Sequence, residues 1–158
     1  LERARKPEFM EAGGKTIGFL GTSRVYMDGS WAAGSGHPCV FSTYDSRQAL
    51  ESIRAAKELC DYLVVYVHWG VEKETVPKEY QRTMGANTST PALTGSREPP
   101  HVLQETEYYN GKPIVYSLGN FVFGQNIDKT AAVKVQVSSD GTVSYGLLPV
   151  YAAGAQQN

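Results

Sequence analysis

The sequence is poor in cysteine and histidine and nearly balanced in charge. Its two cysteines, Cys39 and Cys60, are too few for a disulfide framework or a zinc knuckle. Cys60 closes an amphipathic segment and reads as a small buried hydrophobe, while Cys39 follows a Gly-His-Pro turn and reads as near-surface. Lysine and arginine total 15 against 16 acidic residues, a net charge of -1. That balance leaves no electrostatic footprint for nucleic acid or an anionic membrane. The ten tyrosines are not interleaved with a basic patch, so they read as strand residues rather than a stacking platform. No apolar run is long enough to span a bilayer, and no signal-peptide pattern is present. Nucleophile-elbow, Walker and dinucleotide motifs are also missing, as are internal repeats.

What is present is an ordinary globular composition over 158 residues, a length that suits one domain. The most informative stretch is Tyr62-Leu-Val-Val-Tyr-Val-His68-Trp69-Gly70-Val-Glu72. A run of β-formers ends in a histidine, a Trp-Gly bend and a carboxylate. Such a continuous apolar run reads as a buried parallel strand. Ligands of open α/β sheets gather at the carboxyl ends of these strands, which is where His68 falls.

The rest of the chain supports an α/β reading. Leu1–Met10 is charged and reads as irregular, and Gly13-Gly14 as a turn. Lys15–Gly21 reads as a strand, and Thr22–Pro38 as a long loop of the kind that is functional or disordered. Asp45 and Gln48 have capping-box spacing before a helix from about Ser46 to Leu59. That helix places Leu50, Ile53, Ala56 and Leu59 on one face. Pro77 suits a helix start, with Glu79–Met84 helical and Gly85 the stop. Asn87–Pro100 has three prolines and no periodicity, and reads as coil. Ile114–Leu118 is a strand, extended by Phe121–Phe123 after a bend at Gly119. Ala131–Val137 and Thr142–Val150 form a hairpin around Ser139-Asp140-Gly141, and Ala152–Asn158 is a frayed tail. Strand, helix, strand in this order predicts a parallel sheet covered by helices.

Three blocks carry a resemblance. They are His68-Trp-Gly-Val-Glu72, then Pro99-Pro100-His101-Val-Leu-Gln104, then Gly111-Lys-Pro-Ile-Val-Tyr-Ser-Leu-Gly-Asn120-Phe-Val-Phe123. In this order and spacing the chain resembles the capsule-synthesis CapA family, poly-γ-glutamate synthesis accessory proteins of the calcineurin-like metallophosphoesterase superfamily. The resemblance runs from about Lys6 to about Val150. It implies a partial calcineurin-like sandwich, β-sheets flanked by helices, with a C-terminal β-hairpin. The family's early Gly-Asp and Asn-Asn-His motifs, which supply metal ligands, do not occur here. Residues 1–158 are therefore expected to be one domain, the C-terminal portion of a CapA-type domain.

The resemblance implies one or two divalent metal ions in the intact parent, with His68 and His101 as ligands. His68 taken by its position alone also suits a merely hydrogen-bonded histidine, and His101 a surface loop residue. Ligands shared by one ion or a pair are expected within about 8 Å of each other. Glu72 and Asn120 are candidate substrate-binding residues. Glu72 could instead orient His68 or be a solvated loop carboxylate, and Asn120 could be a turn residue. Trp69 reads as packing and His37 as a loop histidine. Two histidines without the missing carboxylate leave the ligand set incomplete, so the chain by itself is expected to be inactive as a metal-dependent hydrolase. The implied partner is an anionic polymer such as poly-γ-glutamate, and the implied location is the bacterial cell envelope or its extracellular face. A non-catalytic polymer-binding module and a non-functional product are the competing readings.

One stretch departs from the family. Ala86–Pro100 has about the right length, but it lacks the Asp-Ala-Gly-Ala-Asp run and the first histidine of a Gly-Ser-His-Pro-His turn. Two compensating frame shifts, or a divergent loop, would produce this. On the frame-shift reading the sheet loses an interior strand here, and this segment is the least ordered inside the chain.

Overall fold

A computed structural model describes residues 3–32, 40–88, 92–93, 100–120 and 129–150, and among these described residues there are eight strands and two α-helices. Strand β1 (Glu8–Ala12) pairs antiparallel with β2 (Lys15–Ser23). Helix α1 (Ser46–Lys57) leads into β3 (Tyr62–His68), which lies parallel to β2. Helix α2 (Glu79–Thr88) precedes a two-residue strand, β4 (Ala92–Leu93). A hairpin of β5 (Thr106–Tyr109) and β6 (Lys112–Val115) completes a six-stranded sheet of order β1-β2-β3-β4-β6-β5. Strands β7 (Thr130–Val137) and β8 (Val143–Val150) form a separate antiparallel pair.

The four inner strands β2, β3, β4 and β6 run parallel, so their carboxyl ends share one edge. On one face Leu20, Leu63, Val65 and Val67 pack with Ala49, Ile53 and Ala56 of α1 and Met84 of α2. Asp45 caps α1 as its spacing predicts, accepting from the amides of Arg47 and Gln48. The reciprocal half of the box is absent, because the Gln48 side chain accepts from Arg5 instead.

Several expectations need correction. The N-terminal segment is not irregular: Glu8–Ala12 is a strand, closed onto β2 by Gly13 and Gly14 at φ 59° and 73°. Asn110-Gly111 makes the same kind of turn between β5 and β6, so the last inner strand begins at Lys112 and stops at Val115. Helix α1 ends at Lys57, which leaves Leu59 in the following turn and 63% exposed; at the start of the helix Ala49, not Leu50, is the fully buried residue. Helix α2 does not stop at Gly85. A Cβ there would meet Ile114 Cγ2 at 3.0 Å, so this glycine permits close packing of helix on sheet.

The segment expected to be coil also contributes structure. Asn87 and Thr88 finish α2, and Ala92–Leu93 pairs with both β3 and β6. The sheet therefore keeps an interior strand, two residues long, where its loss was expected. Among the described residues no helix is long and apolar enough to cross a membrane. His37, Cys39, Phe121–Phe123, Ala152–Asn158 and most of Asn87–Pro100 lie outside the described residues.

Candidate metal-ligand edge of the sheet

The carboxyl edge of the parallel strands collects Ser23 from β2, His68 from β3 and, beyond β4 and β6, His101 and Asn120. Ser23 and His68 are direct neighbours in the parallel register. The imidazole Nδ1 of His68 lies 3.2 Å from Ser23 Oγ. The same hydroxyl donates its only hydrogen to the Val25 carbonyl at 2.6 Å. Ser23 must then accept from His68, which places a hydrogen on Nδ1; in the neutral ring the lone pair is then on Nε2.

His101 reaches the same result by another route. Its Nδ1 is 2.8 Å from Asn120 Oδ1. A carboxamide oxygen only accepts, so Nδ1 donates, and in the neutral ring Nε2 again carries the lone pair. The His101 backbone sits at φ 60°, an uncommon region for a non-glycine residue and one that gathers at functional sites.

Two contacts lock the two histidine loops together. Gly70 has φ 105°, and a Cβ there would come within 2.9 Å of Pro100 Cδ. The Lys73 amide donates to the Pro100 carbonyl at 2.8 Å. Beneath them Trp69 is 1% exposed; its indole donates to the Tyr116 carbonyl at 3.0 Å and stacks on that ring at 6.1 Å. Trp69 is thus packing, as its sequence context suggests. Gln104 ties the His101 turn to α2, accepting from Gln81 Nε2 at 3.1 Å and donating to the Glu74 carbonyl at 2.9 Å. Burial, and then the hydrogen bond it donates to Glu107, push the Tyr116 phenol far above its usual range, so it stays neutral.

Glu72 does not orient His68. Its side chain is exposed and lies 3.8 Å from Lys73 Nζ, and Ser23 takes the orienting position instead. Asn120 sits at the edge with its oxygen turned to His101 rather than open to a substrate. Ser23 was missed in the sequence because nothing local marks a serine that matters only through a strand partner 45 residues away. Among the described residues, no group of three or more His, Cys, Asp or Glu gathers in a metal-binding arrangement. His68 and His101 are each engaged at Nδ1 by a neighbouring side chain, an arrangement also common among histidines that ligate metals.

Beside this edge, a cleft of about 860 Å³ opens between α1 and α2. Arg24, next to Ser23, lines it, with its backbone amide donating to the His68 carbonyl at 2.8 Å.

Comparison with known proteins adds four findings. Residues 1–125 match the family described as bacterial capsule synthesis protein PGA_cap. The chain is 34% identical over 152 residues to the PGA biosynthesis protein CapA of Bacillus subtilis (strain 168), covering 92% of this chain and 39% of that protein. It is 33% identical over 96 residues to the capsule biosynthesis protein CapA of Bacillus anthracis, covering 57% of this chain and 23% of that protein. The chain therefore spans well under half the length of either relative. Among solved structures, a Staphylococcus aureus protein provisionally named a 5'-nucleotidase, in complex with alpha-ketoglutarate, superposes with a TM-score of 0.60 at 16% identity. That match covers 96% of this chain and 31% of the other, and it concerns the fold alone: the two share an α/β architecture.

Proposed function

The chain belongs to the bacterial capsule synthesis protein family PGA_cap, and from that premise we propose that it supplies two ligands of a divalent-metal site in capsule or poly-γ-glutamate biosynthesis. The observation that carries this reading is that His68 and His101 are both engaged through Nδ1 by a side chain of a neighbouring segment. Ser23 and Asn120 each occupy an Nδ1, so each ring presents Nε2 as its donor atom at one edge of the sheet. A divalent ion held there would act as a Lewis acid toward a phosphoryl or carbonyl oxygen. His68 and His101 would bind it, Ser23 and Asn120 would hold the rings in place, and Gly70 against Pro100 would set the two loops at a fixed spacing. The remaining ligands come from residues beyond those described. The partner is an anionic polymer such as poly-γ-glutamate, met at the bacterial cell envelope, with Glu72 and the amide of Asn120 at the rim. The chain alone is not a competent hydrolase on this reading.

Zn²⁺ titration followed by histidine side-chain NMR tests it. Both Nε2 resonances should respond together, and His68→Ala should weaken binding at least tenfold. Unchanged affinity in both His68→Ala and His101→Ala sinks the ligand assignment. Metal-dependent phosphodiester or γ-glutamyl hydrolysis by the chain alone, lost in His68→Ala, would instead mark it as a complete enzyme.

A further inference from the structure

We propose that the cleft between α1 and α2 is a carboxylate-binding subsite anchored by Arg24. The guanidinium of Arg24 lies between two aromatic rings, 4.7 Å from the Tyr44 centroid and 4.5 Å from that of Tyr80. Its Nη1 donates to the Thr43 carbonyl at 3.3 Å. The two rings hold the planar fork in one orientation, so little rotamer freedom is lost when an anion docks. Among the described residues no carboxylate pairs with Arg24. Arg82 on α2 differs, for it is neutralised by Glu105 and Glu107. An arginine that is clamped by rings, with most of its five donors uncommitted, matches a planar two-oxygen acceptor.

The surroundings narrow the ligand. A volume of about 860 Å³ lies within the range of small-ligand sites. Leu50, Val71 and Met84 make part of the wall apolar. That wall suits methylene groups between carboxylates better than the hydrated shell of a phosphate. Lys78 adds a second positive charge, half engaged with Glu74 at 3.3 Å, and Glu79 is the one acid among the cleft-lining residues. The cleft also communicates with the histidine edge. Arg24 bonds to the His68 backbone, the Gly70 amide donates to the Tyr80 hydroxyl at 2.9 Å, and Val71 lines the wall. A chain of carboxylates lying in the cleft would pass beside His68. The choice of a polymer as natural ligand rests on the function proposed above; the subsite itself rests on Arg24 and its rings.

The test is calorimetric titration of the whole chain with γ-linked tetraglutamate, its carboxylate-free pentamethyl ester, free glutarate and inorganic phosphate. The tetramer should bind and the ester should not. Arg24→Gln should weaken the tetramer roughly tenfold or more, the range for a hydrogen-bonded charge. Arg24→Lys, which keeps the charge and loses the fork, should fall between. Thr83→Glu places a negative charge on an exposed position of α2 facing the cleft, and it should also weaken binding without lowering the melting temperature. Tetramer affinity in Arg24→Gln within twofold of wild type overturns the subsite, as does phosphate binding as tightly as glutarate. Arg24-dependent binding of glutarate without binding of the tetramer keeps the subsite and sinks the polymer reading. Zn²⁺ affinity, unchanged in Arg24→Gln and lost in His68→Ala, reports on the histidine assignment separately.

Discussion

One hydroxyl hydrogen decides the chemistry of His68. Because Ser23 gives it to the Val25 carbonyl, the imidazole must donate from Nδ1. Ser23→Ala removes the acceptor, and the ring is then free to change tautomer or rotate. Metal affinity should fall about 10–100-fold, the usual effect of losing a ligand's orienting partner, as read by Zn²⁺ titration. An unchanged dissociation constant would show that the ring is held by something else. Gly70 is the second decisive residue. Gly70→Ala forces a side chain into a left-handed backbone and against Pro100. It should cost more than ~2 kcal/mol in urea unfolding, with weaker metal binding because the two loops part. Both effects were only half legible. A glycine after His-Trp reads as a bend from sequence, but its close approach to Pro100 needs the fold.

At the scale of elements, the helix–sheet contact at Gly85 and Ile114 sets how closely α2 lies on the core. Gly85→Ala gains about 1 kcal/mol of helix propensity and loses ~1–3 kcal/mol to overpacking, so the net change should be destabilising. Adding Ile114→Val removes Cδ1, one of the two atoms a new Cβ would crowd. The double variant should lose less than the sum of the singles by ~0.5 kcal/mol or more in a double-mutant cycle; strict additivity would mean the two do not touch. The hairpin β1–β2 is fastened to the α1–β3 turn by Asp61. Its carboxylate accepts from the Thr16 amide at 2.9 Å and from Lys15 Nζ at 3.1 Å. The backbone bond chiefly, and Lys15 next, hold its pKa below the usual aspartate value. A lowered folded pKa means stability that is present above the unfolded value of ~3.9 and lost as pH falls through the folded one. Asp61→Asn should therefore lower the melting temperature at pH 7 and leave it unchanged near pH 2. An equal loss at both pH values would make the contact steric rather than ionic.

Across the whole molecule, protection is uneven. Strand β3 is bonded on both sides and buries Leu63, Val65 and Val67. Strand β8 is bonded to β7 alone within its sheet and exposes Leu147 and Leu148. A two-stranded sheet is marginal by itself. Hydrogen exchange should be slowest in β3 and fastest among the strands in β8, by local opening. Equal protection would show that the hairpin is held as firmly as the core. The pairing of β4 with both β3 and β6 keeps the inner sheet continuous, so exchange at Val65 and Tyr66 should stay slow although Ala86–Pro100 departs from the family pattern.

The sequence alone determined the elements whose signals are local. The β-forming run ending at His68, the Asp45 cap and the turn around Ser139-Asp140-Gly141 each depend on neighbours within a few residues, and each occurs where its pattern places it. It also carried the family, because the three motif blocks are contiguous strings. Tertiary structure alone decided the pairings between distant segments. Strand β1 needed β2 to form, and Ala92–Leu93 became a strand because β3 and β6 present bonding partners on either side. Ser23 became part of the candidate site through parallel register with His68, and Arg24 acquired its aromatic clamp from Tyr44, in the bend before α1, and Tyr80 of α2. Periodicity and capping are written within one turn or one strand; register, close approach and ring clamping arise only when separate segments meet.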